Sequence, residues 1–176
     1  MATTLFPLSG IEGVNYNQTY TAYDQTAAIS ATNSPDNPGP PFQVGTVSKG
    51  TGGSEFIFVK AATAIGNGEC AIITSSTGNA SAITTTLINA GEGFQIGFAQ
   101  IAIANGAYGW LQRDGACQNI SVAASCLQNV PLYTTATPGV LDDTATTLIA
   151  GVVITTTVTS AAVTPGTINR PYAPIA

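Results

Sequence analysis

Charged side chains and histidine are what this sequence has least of. Only 7% of its 176 residues are charged and none is histidine, whereas an ordinary globular protein has about 25% charged residues. Four basic residues against nine acidic ones are too few to neutralise a phosphate backbone, which argues against nucleic-acid binding. The same shortage argues against recognition of a membrane surface, because such recognition takes a polybasic segment.

The lack of histidine also removes most common catalytic and metal sites. No Ser–His or Cys–His pair can form, and a structural zinc site has no adequate ligand set. Asp142 and Asp143 are the best remaining acid–base candidates, but adjacent residues of a strand point to opposite faces. We favour a turn in which the two carboxylates accept hydrogen bonds from nearby backbone N–H groups. The sequence therefore predicts no enzyme, and no catalytic, cofactor or metal site; a hydrolase using this pair is the weakest hypothesis.

Cysteine is scarce as well, and export signals are missing. Cys70, Cys117 and Cys126 are odd in number and widely spaced, which does not match a disulfide framework. This favours buried free thiols in a reducing compartment, although a bridge between Cys117 and Cys126 stays open. The N-terminus lacks the basic and apolar regions of a signal peptide, and no apolar run is long enough to span a membrane. We therefore expect a soluble protein made in the cytoplasm.

Small, uncharged residues take the place of the missing charges, chiefly Thr, Ala, Gly, Ser and Asn. Thr and Ser side chains lose little rotamer entropy when they are ordered, whereas Lys and Glu lose much more. A surface of this composition suits a protein that packs tightly against many neighbours. The alternative is a secreted or thermally tolerant β-protein.

Short apolar runs separated by Gly, Pro and Asn turns are typical of β-structure. They predict an all-β fold over residues 42–171, a compact β-barrel or β-sandwich of about nine short strands. Four prolines in residues 33–41 predict a linker. Residues 1–32 before it are predicted to be an extended N-terminal arm, and residues 172–176 a C-terminal tail.

A hairpin over residues 97–115, with its turn at Asn105-Gly106, is predicted to be the centre of the domain. The Thr-rich residues 82–87 are predicted as a strand. Residues 116–127 and 148–159 are also predicted as strands, because they are rich in residues that favour strands. Gly97 and Gly151, inside two of these runs, are expected to mark bulges or tight bends.

Aromatic residues and one arginine are the candidates for contact with a neighbouring subunit. Tyr108 and Trp110 are two residues apart and share a strand face, which is either core or a contact surface. Arg113, beside Asp114, is either half of an intersubunit salt bridge or part of a solvated turn. The arm is expected to dock on a neighbour, or else to be a disordered tail, and its candidate contacts are Tyr16, Tyr20 and Tyr23.

Several short patterns, in order, resemble the capsid decoration or cement proteins encoded in the head-gene region of tailed bacteriophages. The resemblance covers residues 41–171. Its patterns are Gly-Thr-Val (45–47), Gly-Ser-Glu-Phe-Ile-Phe-Val-Lys-Ala (53–61), Ile-Gly-Phe-Ala-Gln (96–100), Tyr-Gly-Trp-Leu-Gln-Arg (108–113) and Leu-Tyr-Thr-Thr-Ala-Thr-Pro-Gly-Val-Leu-Asp-Asp (132–143).

The resemblance implies a structural virion protein on the outer surface of an icosahedral head. It implies a homotrimer bound to the major capsid protein, without catalytic residues. The six candidate contacts would then touch either another subunit or the capsid. The alternative is a receptor- or glycan-binding module of a phage head or tail fibre, in which exposed Tyr108 and Trp110 stack on sugars.

Overall fold

The β-branched and aromatic runs form strands in the computed structural model, which describes residues 15–21, 40–89, 95–144 and 146–173. Within those residues there are ten strands, one short α-helix and one 3₁₀ segment, so the predicted all-β class is confirmed. The elements are β1 (Val47–Lys49), the 3₁₀ segment (Thr51–Gly53), β2 (Glu55–Ala61), β3 (Cys70–Ile73), β4 (Asn79–Ala82), α1 (Thr85–Asn89), β5 (Gln95–Ala99), β6 (Tyr108–Val122), β7 (Leu132–Thr134), β8 (Leu141–Asp142), β9 (Leu148–Ile154) and β10 (Ala162–Tyr172).

All ten strands are hydrogen-bonded into one sheet, in the order β1-β2-β4-β3-β5-β6-β10-β9-β7-β8. Two further pairings, β2–β6 and β6–β8, turn this sheet back on itself. The first circuit consists of β2, β4, β3, β5 and β6, and the second of β6, β10, β9, β7 and β8. Strand β6, fifteen residues long, belongs to both, so the molecule is neither a single barrel nor a sandwich of two separate sheets.

Each circuit has its own apolar core. Ile57, Val59 and Leu111 lie in the core of the first circuit, whereas Ile120 and Leu132 lie in the core of the second. Strands β3 and β5 contribute to both cores, because successive residues of a strand point to opposite faces. This is why every residue of β3 is buried, with Ala71 and Ile73 in the first core and Cys70 and Ile72 in the second.

The predicted hairpin is present, although residues 100–107, and not the Asn105-Gly106 turn alone, separate its two strands. Strands β5 and β6 pair antiparallel, with Ala99 opposite Leu111, and the Ala107 N–H donates to the Ala104 carbonyl at 3.0 Å to close the turn. Gly106 takes the positive φ that the turn requires, 77°. The expected bulge at Gly151 is also present, since the register between β9 and β10 shifts there.

The prediction of a strand over residues 82–87 is wrong. Strand β4 ends at Ala82, and α1 begins at Thr85. The Leu87 N–H donates to the Thr84 hydroxyl at 3.1 Å, so Thr84 caps the helix N-terminus, a position that threonine favours. Threonine favours both strands and helix N-caps. In this segment Thr84 serves as an N-cap, and the residues after it form a helix.

Other boundaries differ by several residues. Strand β6 ends at Val122 within the predicted strand 116–127, and β9 ends at Ile154 within 148–159. Strand β10 runs on to Tyr172, which was assigned to the tail. Of the predicted arm only residues 15–21 are described, and of the predicted linker only 40 and 41. No helix in the described part of the chain is long and apolar enough to cross a membrane.

Candidate functional site

An aromatic surface lies on the outside of the first circuit and is formed by β2 and β6. The register places Phe58 opposite Trp110, and their ring centroids are 5.1 Å apart. Residues 15–21 cover this surface. The Tyr16 ring stacks on Phe56 at 4.0 Å and meets Trp110 edge-on at 5.4 Å, which leaves Tyr16 2% and Trp110 1% exposed.

Backbone and hydroxyl hydrogen bonds hold residues 15–21 in place. Tyr20 and Tyr108 exchange two backbone hydrogen bonds, of 2.8 and 2.6 Å, so Tyr20 extends the sheet at one edge of β6. The Tyr16 hydroxyl is hydrogen-bonded to the Ser48 hydroxyl at 2.8 Å. Burial raises the pKa of the Tyr20 phenol. The described part of the predicted arm is therefore docked on its own chain.

These positions change the interpretation of the candidate contacts. Tyr16 and Trp110 are core residues. Their burial corrects the expectation that either contacts another subunit. Tyr20 and Tyr108 are half-buried at the edge of the same cluster. Tyr23 lies outside the described residues.

Three of the four basic side chains converge on one buried carboxylate, which we call the Glu55 ion cluster. Glu55 is 2% exposed. Its Oε1 accepts from Arg113 Nε at 2.5 Å, and its Oε2 lies 3.0 Å from Arg170 Nη2 and 3.2 Å from Lys49 Nζ. The structure thus pairs Arg113 within the chain, in place of the expected intersubunit bridge or solvated turn.

The cations keep Glu55 ionised. Burial favours the neutral acid, but the hydrogen bonds from Arg113 and Lys49 and the charges of Arg113 and Arg170 outweigh it, so the pKa of Glu55 lies below its usual value. Arg170 Nε also lies 3.8 Å from Asp114 Oδ2. Arg170 has a positive φ of 40°, an uncommon conformation for a residue with a Cβ.

The cluster borders a small pocket of about 210 Å³. Arg113 and Arg170 both line this pocket, and Arg113 Nη1 lies 3.4 Å from Gln95 Oε1. A larger groove of about 460 Å³ along β9 has no charged residue in its lining. The residues lining the small pocket are Gln95, Ile96, Arg113, Arg170, Pro171 and Tyr172.

Asp142 and Asp143 accept the predicted hydrogen bonds from backbone N–H groups, although Asp142 ends strand β8 and does not lie in a turn. Asp142 Oδ1 accepts from the Asp143 N–H at 2.8 Å, and Asp143 Oδ2 accepts from the Leu127 N–H at 2.9 Å. The Cys126 thiol lies within 4.8 Å of both carboxylates. Burial, together with the charge of Asp143, raises the pKa of Cys126 to about 11. The thiol is therefore protonated near neutral pH.

All three cysteines are buried free thiols, as predicted, and Cys117 and Cys126 are not bridged. Gln100 Nε2 donates to Cys117 Sγ at 3.1 Å. Burial raises the pKa of Cys117 to about 12 and that of Cys70 well above its ordinary value. Neither thiol has the lowered pKa that a nucleophile needs.

Sequence reasoning missed the Glu55 ion cluster. Lys60, the basic residue outside the cluster, lies over the Tyr108 ring at 5.7 Å. Arg113 and Arg170, two of the three partners of Glu55, are 58 and 115 residues away along the chain, and no local pattern signals such a pairing. No family model matches the sequence, and no curated protein matches it. The function is therefore argued from the geometry and from the resemblance noted above.

Proposed function

We propose that this chain is a structural virion protein that decorates and stabilises an icosahedral bacteriophage head. In this proposal it binds the major capsid protein from the outer surface of the capsid, acts as a homotrimer, and performs no catalysis. The resemblance over residues 41–171 supports it.

The observation that carries the proposal is the collection of three of the four basic residues around Glu55. Lys60 is the only basic residue outside that cluster. Burying an unpaired charge in an interface costs free energy, and interface cores are depleted of charged residues. A surface with its cations gathered at one place and covered elsewhere by Thr, Ser, Asn and Ala suits repeated, dry contacts across a lattice.

The roles of the described carboxylates also support a non-catalytic function. Glu55 is held by cations, and Glu69 accepts from the Gly66 N–H at 2.7 Å. Asp114 accepts from the Gly115 N–H at 2.8 Å, and the Asp142–Asp143 pair accepts from two backbone N–H groups. Each of these groups stabilises the fold. Weak contacts repeated over many copies then supply firm attachment through avidity.

The test is to purify mature particles of the phage that encodes this chain and identify their proteins by mass spectrometry. We expect the chain in a fixed molar ratio to the major capsid protein, which serves as the internal standard. Brief protease treatment of intact heads should cleave the chain and spare the major capsid protein, since we place it outside. Absence of the chain from mature heads would overturn the proposal.

The alternative function, a receptor- or glycan-binding module, depended on exposed Tyr108 and Trp110. Trp110 is 1% exposed, with Tyr16 and Phe42 packed against its ring. The stacking surface that the alternative requires is thus occupied by the chain itself, and no other observation favours this function.

A further inference from the structure

We propose that the small pocket beside the Glu55 ion cluster binds a single carboxylate group, supplied by an Asp or Glu side chain of a partner protein. The pocket lies between Gln95 of β5 and the end of β10. This inference stands apart from the proposed virion role, because it concerns a site on the isolated protein and is tested there.

Glu55 orients two guanidinium groups at the edge of the pocket. Its Oε1 accepts a hydrogen bond from the Nε of Arg113, and its Oε2 accepts one from the Nη2 of Arg170. Neither arginine therefore forms a bidentate pair with Glu55. A guanidinium group has five N–H donors. Among the described residues, Arg113 Nη2 and Arg170 Nη1 have no hydrogen-bond partner. Both arginines line the pocket.

The net charge of the Glu55 ion cluster favours a monovalent anion. Three cations and two carboxylates, Glu55 and Asp114, lie in the cluster, which leaves one unit of positive charge in a chain whose net charge is -5. One monovalent anion neutralises this excess. A phosphate dianion would overcompensate it, and the described residues that line the pocket include neither a helix N-terminus nor a glycine-rich loop of the kind that holds phosphate.

The size and lining of the pocket suit one acidic side chain. A volume of about 210 Å³ is below the roughly 300–1,000 Å³ of pockets that enclose whole small molecules, and it suits one acidic side chain. Ile96 and Pro171 offer apolar walls for the methylene groups of such a side chain. Tyr172, 50% exposed, also lines the pocket. Guanidinium groups recognise carboxylates through paired, charge-assisted hydrogen bonds.

The strained backbone at Arg170 is consistent with this role. Its φ of 40° falls where the β9–β10 register shifts between Ile168 and Tyr172. Bulges of this kind redirect side chains, and here Arg170 is directed toward Glu55 while Tyr172 and Pro171 line the pocket. Strained residues of this type cluster at binding sites.

The test is an NMR titration of the full chain at low ionic strength, followed through the Ile96 methyl signal. The probe is N-acetylglutamate N-methylamide, and the matched neutral control is N-acetylglutamine N-methylamide. We expect a saturable shift with the acid and none with the amide. Equal shifts with both, or no saturable shift with the acid, would overturn the proposal.

Two charge-matched variants separate the pocket from general electrostatics. Arg170→Gln and Lys49→Gln each remove one positive charge and one ion pair to Glu55, but only Arg170 lines the pocket. We expect Arg170→Gln to weaken binding about tenfold or more, as for a lost charged hydrogen bond, and Lys49→Gln to weaken it less than about threefold. Equal losses would overturn the proposal.

A third variant and two further probes complete the experiment. Tyr172→Phe lies outside the ion cluster and keeps the test valid if Arg170→Gln does not fold; we expect it to weaken binding about threefold. Methyl glucuronide and inorganic phosphate test other sources of negative charge. Tighter binding of either than of the glutamate probe would contradict the assignment. A folded Arg170→Gln that binds like the wild type would also contradict it, as would unchanged binding by Tyr172→Phe when Arg170→Gln does not fold.

Discussion

At the scale of single residues, Glu55 has the most unusual environment in the described structure. A buried carboxylate is costly unless it is paired and hydrogen-bonded, and Glu55 has three cationic partners. Two of them are largely exposed, with side-chain exposures of 73% for Lys49 and 61% for Arg170. Arg113, at 20%, is the partner least screened by solvent and therefore the principal one.

Glu55→Gln is expected to lower the free energy of unfolding by about 2 kcal/mol near neutral pH, because it leaves Arg113 without its charged acceptor. The pKa of Glu55 is lower in the folded state than its ordinary value. Its contribution is therefore fully present above the ordinary carboxyl range and is lost as pH falls through the lowered pKa. Urea unfolding of both proteins across acid pH should show the difference shrinking below about pH 4.

Lys49→Gln is the matched control for this measurement, since it removes only the most exposed partner of Glu55. It should lower the unfolding free energy by less than about 1 kcal/mol. A difference between wild type and Glu55→Gln that stays constant with pH would contradict the account of the ion cluster.

At the scale of elements, residues 15–21 behave as part of the domain. They contribute one fully buried ring, Tyr16, and one backbone bridge, between Tyr20 and Tyr108. One polar atom beneath this segment is unsatisfied: the indole Nε1 of Trp110 is buried and has no hydrogen-bond partner among the described residues. Aromatic packing, which contributes beyond the area buried, therefore stabilises this segment together with its hydrogen bonds to Ser48 and Tyr108.

Two truncations test the segment, one that removes residues 1–14 and one that removes residues 1–21. Only the longer deletion removes Tyr16, so only it should expose Trp110, shift its emission to longer wavelength and lower the unfolding free energy by about 3 kcal/mol. Trp110 is the only tryptophan, so its fluorescence reports this site alone.

Tyr16→Phe is the conservative control for the truncations. It removes the hydroxyl bonded to Ser48 and keeps the ring, so it should cost about 1 kcal/mol and leave the emission wavelength of Trp110 unchanged. Equal emission spectra for the two truncations would show that residues 15–21 do not cover the tryptophan in solution.

At the scale of the whole molecule, the long strand β6 joins the two circuits. Its first half pairs with β2 and β5 and its second half with β10 and β8. Leu111 faces the first core and Ile120 the second. Loss of either core would deprive β6 of half its partners, so we expect the circuits to unfold together.

Leu111→Ala and Ile120→Ala should each lower the stability of one common transition, by about 2–5 kcal/mol. The check is denaturant unfolding followed by Trp110 fluorescence, which reports the first circuit, and by far-ultraviolet circular dichroism, which reports both. Coincident curves are expected for the wild type and for each variant. Separate transitions by the two probes would mean that the circuits fold independently.

Local signals in the sequence were enough for several features of this protein. Short apolar runs separated by Gly, Pro and Asn turns predicted the all-β class, and Asn105-Gly106 predicted the central hairpin. Burial of the three thiols, and the hydrogen bonds from backbone N–H groups to Asp142 and Asp143, followed from residue chemistry alone. These features depend on a few neighbouring residues, so the physical causes are visible in a short window. The Thr-rich segment failed because threonine serves both strands and helix caps.

Tertiary structure decided what depends on contacts distant in sequence. The closure of the sheet into two circuits through β6, the burial of Trp110 beneath Tyr16, and the meeting of Glu55 with Arg113 and Arg170 all join segments far apart along the chain. Such pairings are selected by how strands close and cores fill, and periodicity or residue type does not encode them locally. The sequence alone determined the class of the fold, and only its closure decided which charges meet.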